Sequence, residues 1–107
     1  MDNGEPYGND RRVNAYFQCL AATIRKGHGC DSTHSGTSRV IEQYEGRTVF
    51  DGEVETFTLS GHATASEAFA WGWDNGSEPQ YVAVLRVPPV NDPSDAVRAA
   101  IASGAFR

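Results

Sequence analysis

The stretch that decides the fold class is Ala68-Phe69-Ala70-Trp71-Gly72-Trp73. Small and aromatic residues alternate along it with a period of two, which is the spacing of side chains on the two faces of a β-strand. A helix capped by Thr64, with Glu67 three residues later, is the competing interpretation. A helix would spread the three aromatic rings around its circumference, and Gly72 would weaken its interior. The alternation therefore favours a strand.

The residues that follow complete a β-hairpin. Asp74-Asn75-Gly76 is a turn signal, and residues 80–87 are rich in strand-forming side chains. Pro88-Pro89 ends the second strand because neither proline can donate a backbone hydrogen bond. We therefore predict a hairpin with strands at 67–74 and 79–87.

A further strand is predicted at residues 53–59, where the apolar members are Val54, Phe57 and Leu59. Phe57 and Leu59 share one face of such a strand, whereas Val54 falls on the other. A β-bulge would bring the three side chains to one face, although the sequence does not place it.

Residues 39–44 fit either a short helical turn or a strand. The turn signals Glu45-Gly46 and Asp51-Gly52 lie on either side of residues 47–50. These two turns favour the strand interpretation for residues 39–44.

Helical periodicity predicts one helix near each end of the chain. In the first, at residues 11–26, four apolar residues recur at steps of three and four: Val13, Phe17, Leu20 and Ile24. In the second, at residues 93–103, Asp92 supplies a capping carboxylate and Gly104 stops the helix.

The order of helix, strands and helix predicts an α+β fold. We expect one domain over residues 10–107, with an antiparallel sheet of three to five strands and both terminal helices packed on one face. Residues 1–9 contain glycine, proline and asparagine without periodicity, so we predict a disordered tail there.

Composition excludes several classes of protein. The chain has 107 residues, of which 39% are hydrophobic and 21% charged, as in a soluble globular domain. Its formal net charge of −5 argues against sequence-independent binding to nucleic acid and against binding to anionic membrane surfaces. No apolar run approaches the roughly 20 residues of a membrane-spanning helix.

The sequence also bears on compartment. Residues 1–10 are polar and acidic, unlike a signal peptide, and this predicts a cytoplasmic protein. Two cysteines, Cys19 and Cys30, are too few for a disulfide framework, so reduced thiols are expected.

Residues 49–101 resemble a family of short uncharacterised bacterial proteins. The resemblance rests on Gly61-His62, on Ala68-Phe69-Ala70-Trp71, and on Val82-Ala83-Val84-Leu85 followed by Pro88-Pro89-Val90. It covers roughly half of the chain and implies a bacterial origin. It implies no function that could be transferred to these residues.

Residues 27–38 are polar and glycine-rich, and we predict a loop for them. His28, Cys30 and His34 are candidate metal ligands within this segment, with Asp31 beside them. Cys30 also has a histidine on either side that could act as a base for a thiol nucleophile. The alternative is that a mobile loop gathers these polar residues without any chemical role.

Four aromatic residues are the candidate ligand-binding residues: Phe69, Trp71, Trp73 and Tyr81. They are expected to share one face of the hairpin, either as core or, at its outer end, as the wall of a pocket. Aromatic walls in an acidic protein favour a neutral or cationic organic ligand.

These observations favour a small non-catalytic binding module over an enzyme. No acid–base pair can be identified, and no cofactor is predicted. We expect a homo-oligomer, with a dimer as the simplest form, because small sheets expose edges that pair across two-fold axes. The alternative is a small metal- or thiol-dependent enzyme that uses His28, Cys30 and His34.

Overall fold

The computed structural model describes the backbone of residues 7–74 and 76–104, and within these ranges the side chains from residue 14 onward. The elements are α1 (Tyr7–His28), β1 (Asp31–Tyr44), β2 (Arg47–Ser60), β3 (Glu67–Asp74), β4 (Pro79–Leu85) and α2 (Pro93–Ser103). The strands form one antiparallel sheet in the order β1-β2-β3-β4. The predicted α+β class, the antiparallel sheet and the strand assignment of residues 68–73 are confirmed.

Helix α1 is longer than the periodicity predicts. It begins at Tyr7, so residues 7–9 of the predicted tail are helical, while residues 1–6 lie outside the described part of the chain. It ends at His28, where Gly29 has a φ of 73° and donates its N–H to the Arg25 carbonyl at 2.8 Å. A glycine is suited to this left-handed position because it has no Cβ.

Helix α2 begins and ends as predicted. The Asp92 carboxylate accepts the N–H of Asp95 at 2.8 Å, and Pro93 is the first helical residue. Gly104 takes the left-handed conformation at the other end, with a φ of 82°. No helix within the described residues is both long and apolar enough to cross a membrane.

The prediction of a loop at residues 27–38 is wrong. Strand β1 starts at Asp31 and pairs with β2 along its whole length, from Asp31 opposite Ser60 to Tyr44 opposite Arg47. Its first half is polar because one side chain in two faces solvent, and serine and threonine are tolerated there. The strand predicted at residues 39–44 is confirmed as the second half of the same element.

The two helices lie on opposite faces of the sheet, so their predicted placement on one face is wrong. Phe69 and Trp71 belong to a core cluster with residues of α2, whereas Ala68 and Ala70 belong to a cluster with residues of α1. Successive residues of a strand point to opposite faces, and both faces of β3 are apolar. The aromatic face therefore meets one helix and the alanine face the other.

The same arrangement explains the imperfect alternation in β2. Val54 packs in the cluster on the α2 side and Phe57 in the cluster on the α1 side, and both are fully buried. Between these two residues β2 itself has no extra residue, and the register shift at this point comes from Ser35 of β1. The predicted bulge at this point is unnecessary, because each face of β2 has a helix to bury it.

Strands β2 and β3 pair over only part of their length. The pairing runs from Glu67 opposite Thr58 to Ala70 opposite Glu55 and stops there. Beyond that point the Gly72 N–H donates to the Tyr16 hydroxyl of α1 at 2.8 Å. Tyr16 thus satisfies a backbone donor at the position where β2 and β3 separate.

Candidate functional site

A groove lies between α1 and β1 and contains a cavity of about 260 Å³. We call it the α1–β1 groove, and its lining residues are Asn14, Phe17, Gln18, Ala21, Ser32, His34 and Phe57. Ser32 and His34 are two residues apart on β1 and therefore point to the same face. Phe57 lies directly opposite His34 in the register of β1 and β2.

Aromatic rings hold the His34 imidazole in the groove. The Phe17 ring stacks on it with centroids 3.9 Å apart and an interplanar angle of 20°. The Phe57 ring meets it edge-on, with centroids 5.4 Å apart. One strand, its neighbour and the helix above thus fix the orientation of a single imidazole.

A buried carboxylate lies behind this imidazole. Glu55 is 4% exposed, and its Oε1 atom is 2.7 Å from Nε2 of His34. The Thr37 hydroxyl donates to the same oxygen. A buried carboxylate requires such donors, because an ionised group without partners is strongly disfavoured away from water.

A β-bulge at Ser35 brings His34 and Thr37 to the same carboxylate, that of Glu55. His34 and Thr37 are three residues apart and would lie on opposite faces of a regular strand. The register shifts between His34 and Gly36, so the extra residue brings Thr37 to the His34 face, opposite Glu55. Both side chains consequently reach one carboxylate.

The contact with Glu55 determines which nitrogen of His34 carries the hydrogen and which one stays without a partner in the described part of the chain. A carboxylate accepts, so Nε2 carries the hydrogen, and Nδ1 keeps its lone pair when the ring is neutral. Nδ1 has no hydrogen-bond partner among the residues that the structure describes, and the side chain is 28% exposed. A molecule that enters the groove thus meets an oriented hydrogen-bond acceptor.

Ser32 contributes a second uncommitted polar atom. Its Oγ is buried and has no hydrogen-bond partner within the described residues. Ser32 lines the cavity below Phe17 and also an adjoining one of about 480 Å³ toward Arg25 and Asp31. Buried hydroxyls are nearly always paired, so an unpaired one beside a cavity indicates a position where a ligand or water completes the bond once the side chain rotates toward the cavity.

Tyr16 continues the polar layer from Glu55 toward the gap between β2 and β3. Burial is the main reason that the pKa of its phenol is raised; the Gly72 hydrogen bond acts in the opposite direction, and the nearby Glu55 and Glu53 carboxylates raise it further. The neutral phenol is therefore favoured in the folded protein.

This shift predicts a pH dependence of stability. The stabilisation is complete below the phenol's unfolded pKa and is lost as pH rises through the folded pKa, because the unfolded chain releases the proton first. Urea unfolding between about pH 9 and pH 11 should show a steeper loss of unfolding free energy for the wild type than for Tyr16→Phe. Equal slopes for the two proteins would contradict the assignment to Tyr16.

The predicted metal or thiol residues do not come together. The His28 ring lies 3.3 Å from the Ala83 carbonyl of β4, Cys30 is buried in the core on the α1 side, and His34 contacts Glu55. In residues 14–74 and 76–104, no three His, Cys, Asp or Glu side chains are grouped to hold a metal ion. Only His34 of the three borders the α1–β1 groove.

The four predicted aromatic residues do not form one surface. Phe69 and Trp71 are 3% and 1% exposed in the core on the α2 side, and Trp73 is half-buried against it. Tyr81 is opposite Gly72 in the register and therefore lies on the other face, the α1 side. The expectation that Tyr81 shares a face with the tryptophans is wrong, because an antiparallel partner takes the face of the residue it pairs with.

Sequence reasoning did not identify Ser32, Thr37 and Glu55 as members of one cluster. Glu55 lies within the predicted strand at residues 53–59, but the sequence indicates no partner for its carboxylate. The signal that could have found Ser32 and His34 together is their spacing of two, which is the spacing of one strand face. The partnership with Glu55 depends on a bulge and on a pairing between distant segments, and no local pattern indicates either.

No protein-family model, curated protein or solved structure matches the chain. The bacterial family suggested by residues 49–101 thus stays an expectation from the sequence.

Proposed function

We propose that this protein is a non-catalytic binding module that holds a planar, neutral or cationic organic molecule in the α1–β1 groove. The observation that carries the proposal is the Ser32 hydroxyl, which is buried in the groove wall and has no hydrogen-bond partner among the described residues. A ligand that supplies the missing hydrogen bond removes the free-energy cost of this unpaired atom.

The shape and hydrogen-bonding groups of the ligand follow from the walls. Phe17 supplies apolar ring surface with the buried Phe57 ring behind it, and His34 offers Nδ1 as an acceptor. A flat molecule with an N–H donor can contact the rings and donate to this nitrogen. The Ser32 hydroxyl can donate to or accept from the same molecule.

The preferred charge follows from the groups around the groove. Glu55 places a carboxylate directly behind the imidazole, and the chain as a whole has a formal charge of −5. Arg25, the cation at the far end of the adjoining cavity, is already paired with Asp31. The local field thus disfavours an anion.

Binding is proposed in preference to catalysis because the predicted nucleophile is elsewhere. Cys30 is 5% exposed and packs in the core with Leu20 and Ile24. A buried thiol in apolar surroundings behaves as a small hydrophobic side chain and is inert.

Three compounds of one shape and different charge provide the test: benzamidine (cationic), benzamide (neutral) and benzoate (anionic). Each is titrated into the protein while backbone amide shifts are followed by NMR. We expect benzamidine and benzamide to shift residues of the α1–β1 groove, and benzoate to bind most weakly. Ser32→Ala should weaken benzamide binding about three- to tenfold, the equivalent of one hydrogen bond.

Ser35→Ala is the matched control, since it removes an exposed serine hydroxyl from the same strand. It should leave the affinity unchanged. Ser32→Ala should leave the free energy of unfolding unchanged or slightly higher, because the hydroxyl makes no bond within the described residues. Tightest binding of benzoate, or equal affinities of wild type and Ser32→Ala for benzamide, would contradict the proposal.

A further inference from the structure

The sheet has two edges, β1 and β4, and β4 is protected. Strand β4 begins at Pro79, and Pro88-Pro89 follows it closely. The His28 ring lies 3.3 Å from the Ala83 carbonyl in the middle of the strand. Prolines and side-chain caps of this kind prevent another strand from pairing with an edge.

The direction of the backbone groups on β1 follows from bonds elsewhere in the sheet. Leu59 of β2 donates its N–H to the carbonyl of Ser66, which directly precedes β3. The backbone N–H and C=O groups of the odd-numbered β2 residues therefore point toward β3 and away from β1. Ile41 of β1 lies opposite Asp51, an odd-numbered residue. In an antiparallel pair, the backbone groups of two opposite residues point either toward each other or away from each other. Those of Asp51 point away from β1, so the N–H and C=O groups of Ile41 point outward from the sheet.

The second half of β1, residues 36–44, lacks the protection seen on β4. It contains no proline, and its Ile41 and Tyr44 side chains are 54% and 67% exposed. In the part of the chain that is described, no side chain bonds to the outward groups of Ile41. The bulge at Ser35 separates this half from the polar first half of the strand.

The charges of this half are already neutralised. Arg39 pairs with Asp51 of β2, and Glu42 accepts Nε of Arg98 from α2 at 2.9 Å. An approaching strand of the same sequence therefore meets compensated charges, even though the chain is acidic overall. Exposed apolar side chains, free backbone groups and balanced charge together mark an edge suited to pairing.

We propose that a second copy of this chain pairs its β1 antiparallel to this half-strand, which joins two four-stranded sheets across a two-fold axis. An axis at Arg39 or Glu42 would place like charges directly opposite each other. An axis at Ile41 places Arg39 opposite Gln43, and an axis at Val40 places Arg39 opposite Ile41. Both of these registers keep matching faces together, and both bury Ile41.

Light scattering and sedimentation on the full chain test this pairing across a dilution series up to about 1 mM. The wild type should move from one chain mass to twice that mass with increasing concentration. Ile41→Pro removes an N–H that points away from β2 and bonds to none of the described strands, so it should fold and yet lose dimerisation. Ile41→Lys adds a charge at the same place and should raise the dissociation constant at least about tenfold.

Thr33→Lys is the control, because Thr33 is an exposed residue of the same edge strand on the other side of the bulge. It should dimerise as the wild type does. A wild type that stays monomeric throughout the series, or a dimer that persists in Ile41→Lys, would overturn the proposal. If Ile41→Pro fails to fold by circular dichroism, Ile41→Lys alone decides. Ligand binding in the α1–β1 groove does not depend on this dimer, because the β1 residues that line the groove, Ser32 and His34, lie on the other side of Ser35.

Discussion

Replacing Trp71 with alanine is expected to lower the free energy of unfolding by about 3–5 kcal/mol, the largest loss expected from any single substitution considered for this protein. Trp71 is 1% exposed in the centre of β3, and the Phe50 ring meets it edge-on with centroids 5.7 Å apart. Val97 and Ala100 of α2 belong to the same cluster. Alanine would leave a cavity that several rigid elements border and that none can fill without moving.

Domains of this size are stable by only about 5–15 kcal/mol, so a substantial fraction of Trp71→Ala should be unfolded under mild conditions. Urea unfolding followed by far-ultraviolet circular dichroism measures the loss. Trp73→Ala is the comparison, since Trp73 is half-buried at the margin of the same cluster and should cost less. A loss below about 1 kcal/mol for Trp71→Ala would mean that this ring is not the centre of the core.

Gly72→Ala is expected to destabilise the protein by about 1–3 kcal/mol, although alanine is only one methyl group larger. A Cβ atom at residue 72 would lie 2.8 Å from Cδ1 of Tyr81 and 3.1 Å from the Gln80 carbonyl oxygen. The Tyr81 ring lies directly over the glycine because the two residues are paired across β3 and β4. Either the ring or the strand must move to admit the methyl group.

Two further variants separate this overlap from a general effect of glycine replacement. In a Tyr81→Ala background the additional loss from Gly72→Ala should become smaller, since the two ring atoms are gone and only the Gln80 carbonyl oxygen at 3.1 Å remains close. Gly27→Ala has open space around the new Cβ and lies within α1, so it should be neutral or stabilising by up to about 1 kcal/mol. An equal penalty for Gly72→Ala with and without the Tyr81 ring would contradict the steric explanation.

The candidate site shows which parts of this protein could be predicted from residues alone. The sequence identifies His34 as a side chain that can bind a ligand or act as an acid or base, and Glu55 as a carboxylate on a strand. Their contact at 2.7 Å depends on the pairing of β1 with β2 and on the extra residue at Ser35. A bulge is a response of one strand to its neighbour, so it has no dependable signature in a single segment.

Local sequence patterns were enough to predict the elements whose residues interact with near neighbours. The period of two at residues 68–73, the helical periodicity of α1 and the Asp92 cap of α2 are all local, and each is present in the structure. The polar residues 31–38, by contrast, form a strand only because they pair with a distant segment. Their serine and threonine side chains carry no hydrophobic signal, and the backbone bonds to β2 specify the strand.

The placement of the helices was likewise a tertiary outcome. Alternation on β3 shows that aromatic and small residues face opposite ways, but it does not show that both faces are covered. The alanine face packs closely against α1, and the aromatic face packs against α2. This choice depends on how well whole surfaces fit each other, and surface fit arises from contacts between residues far apart in the chain.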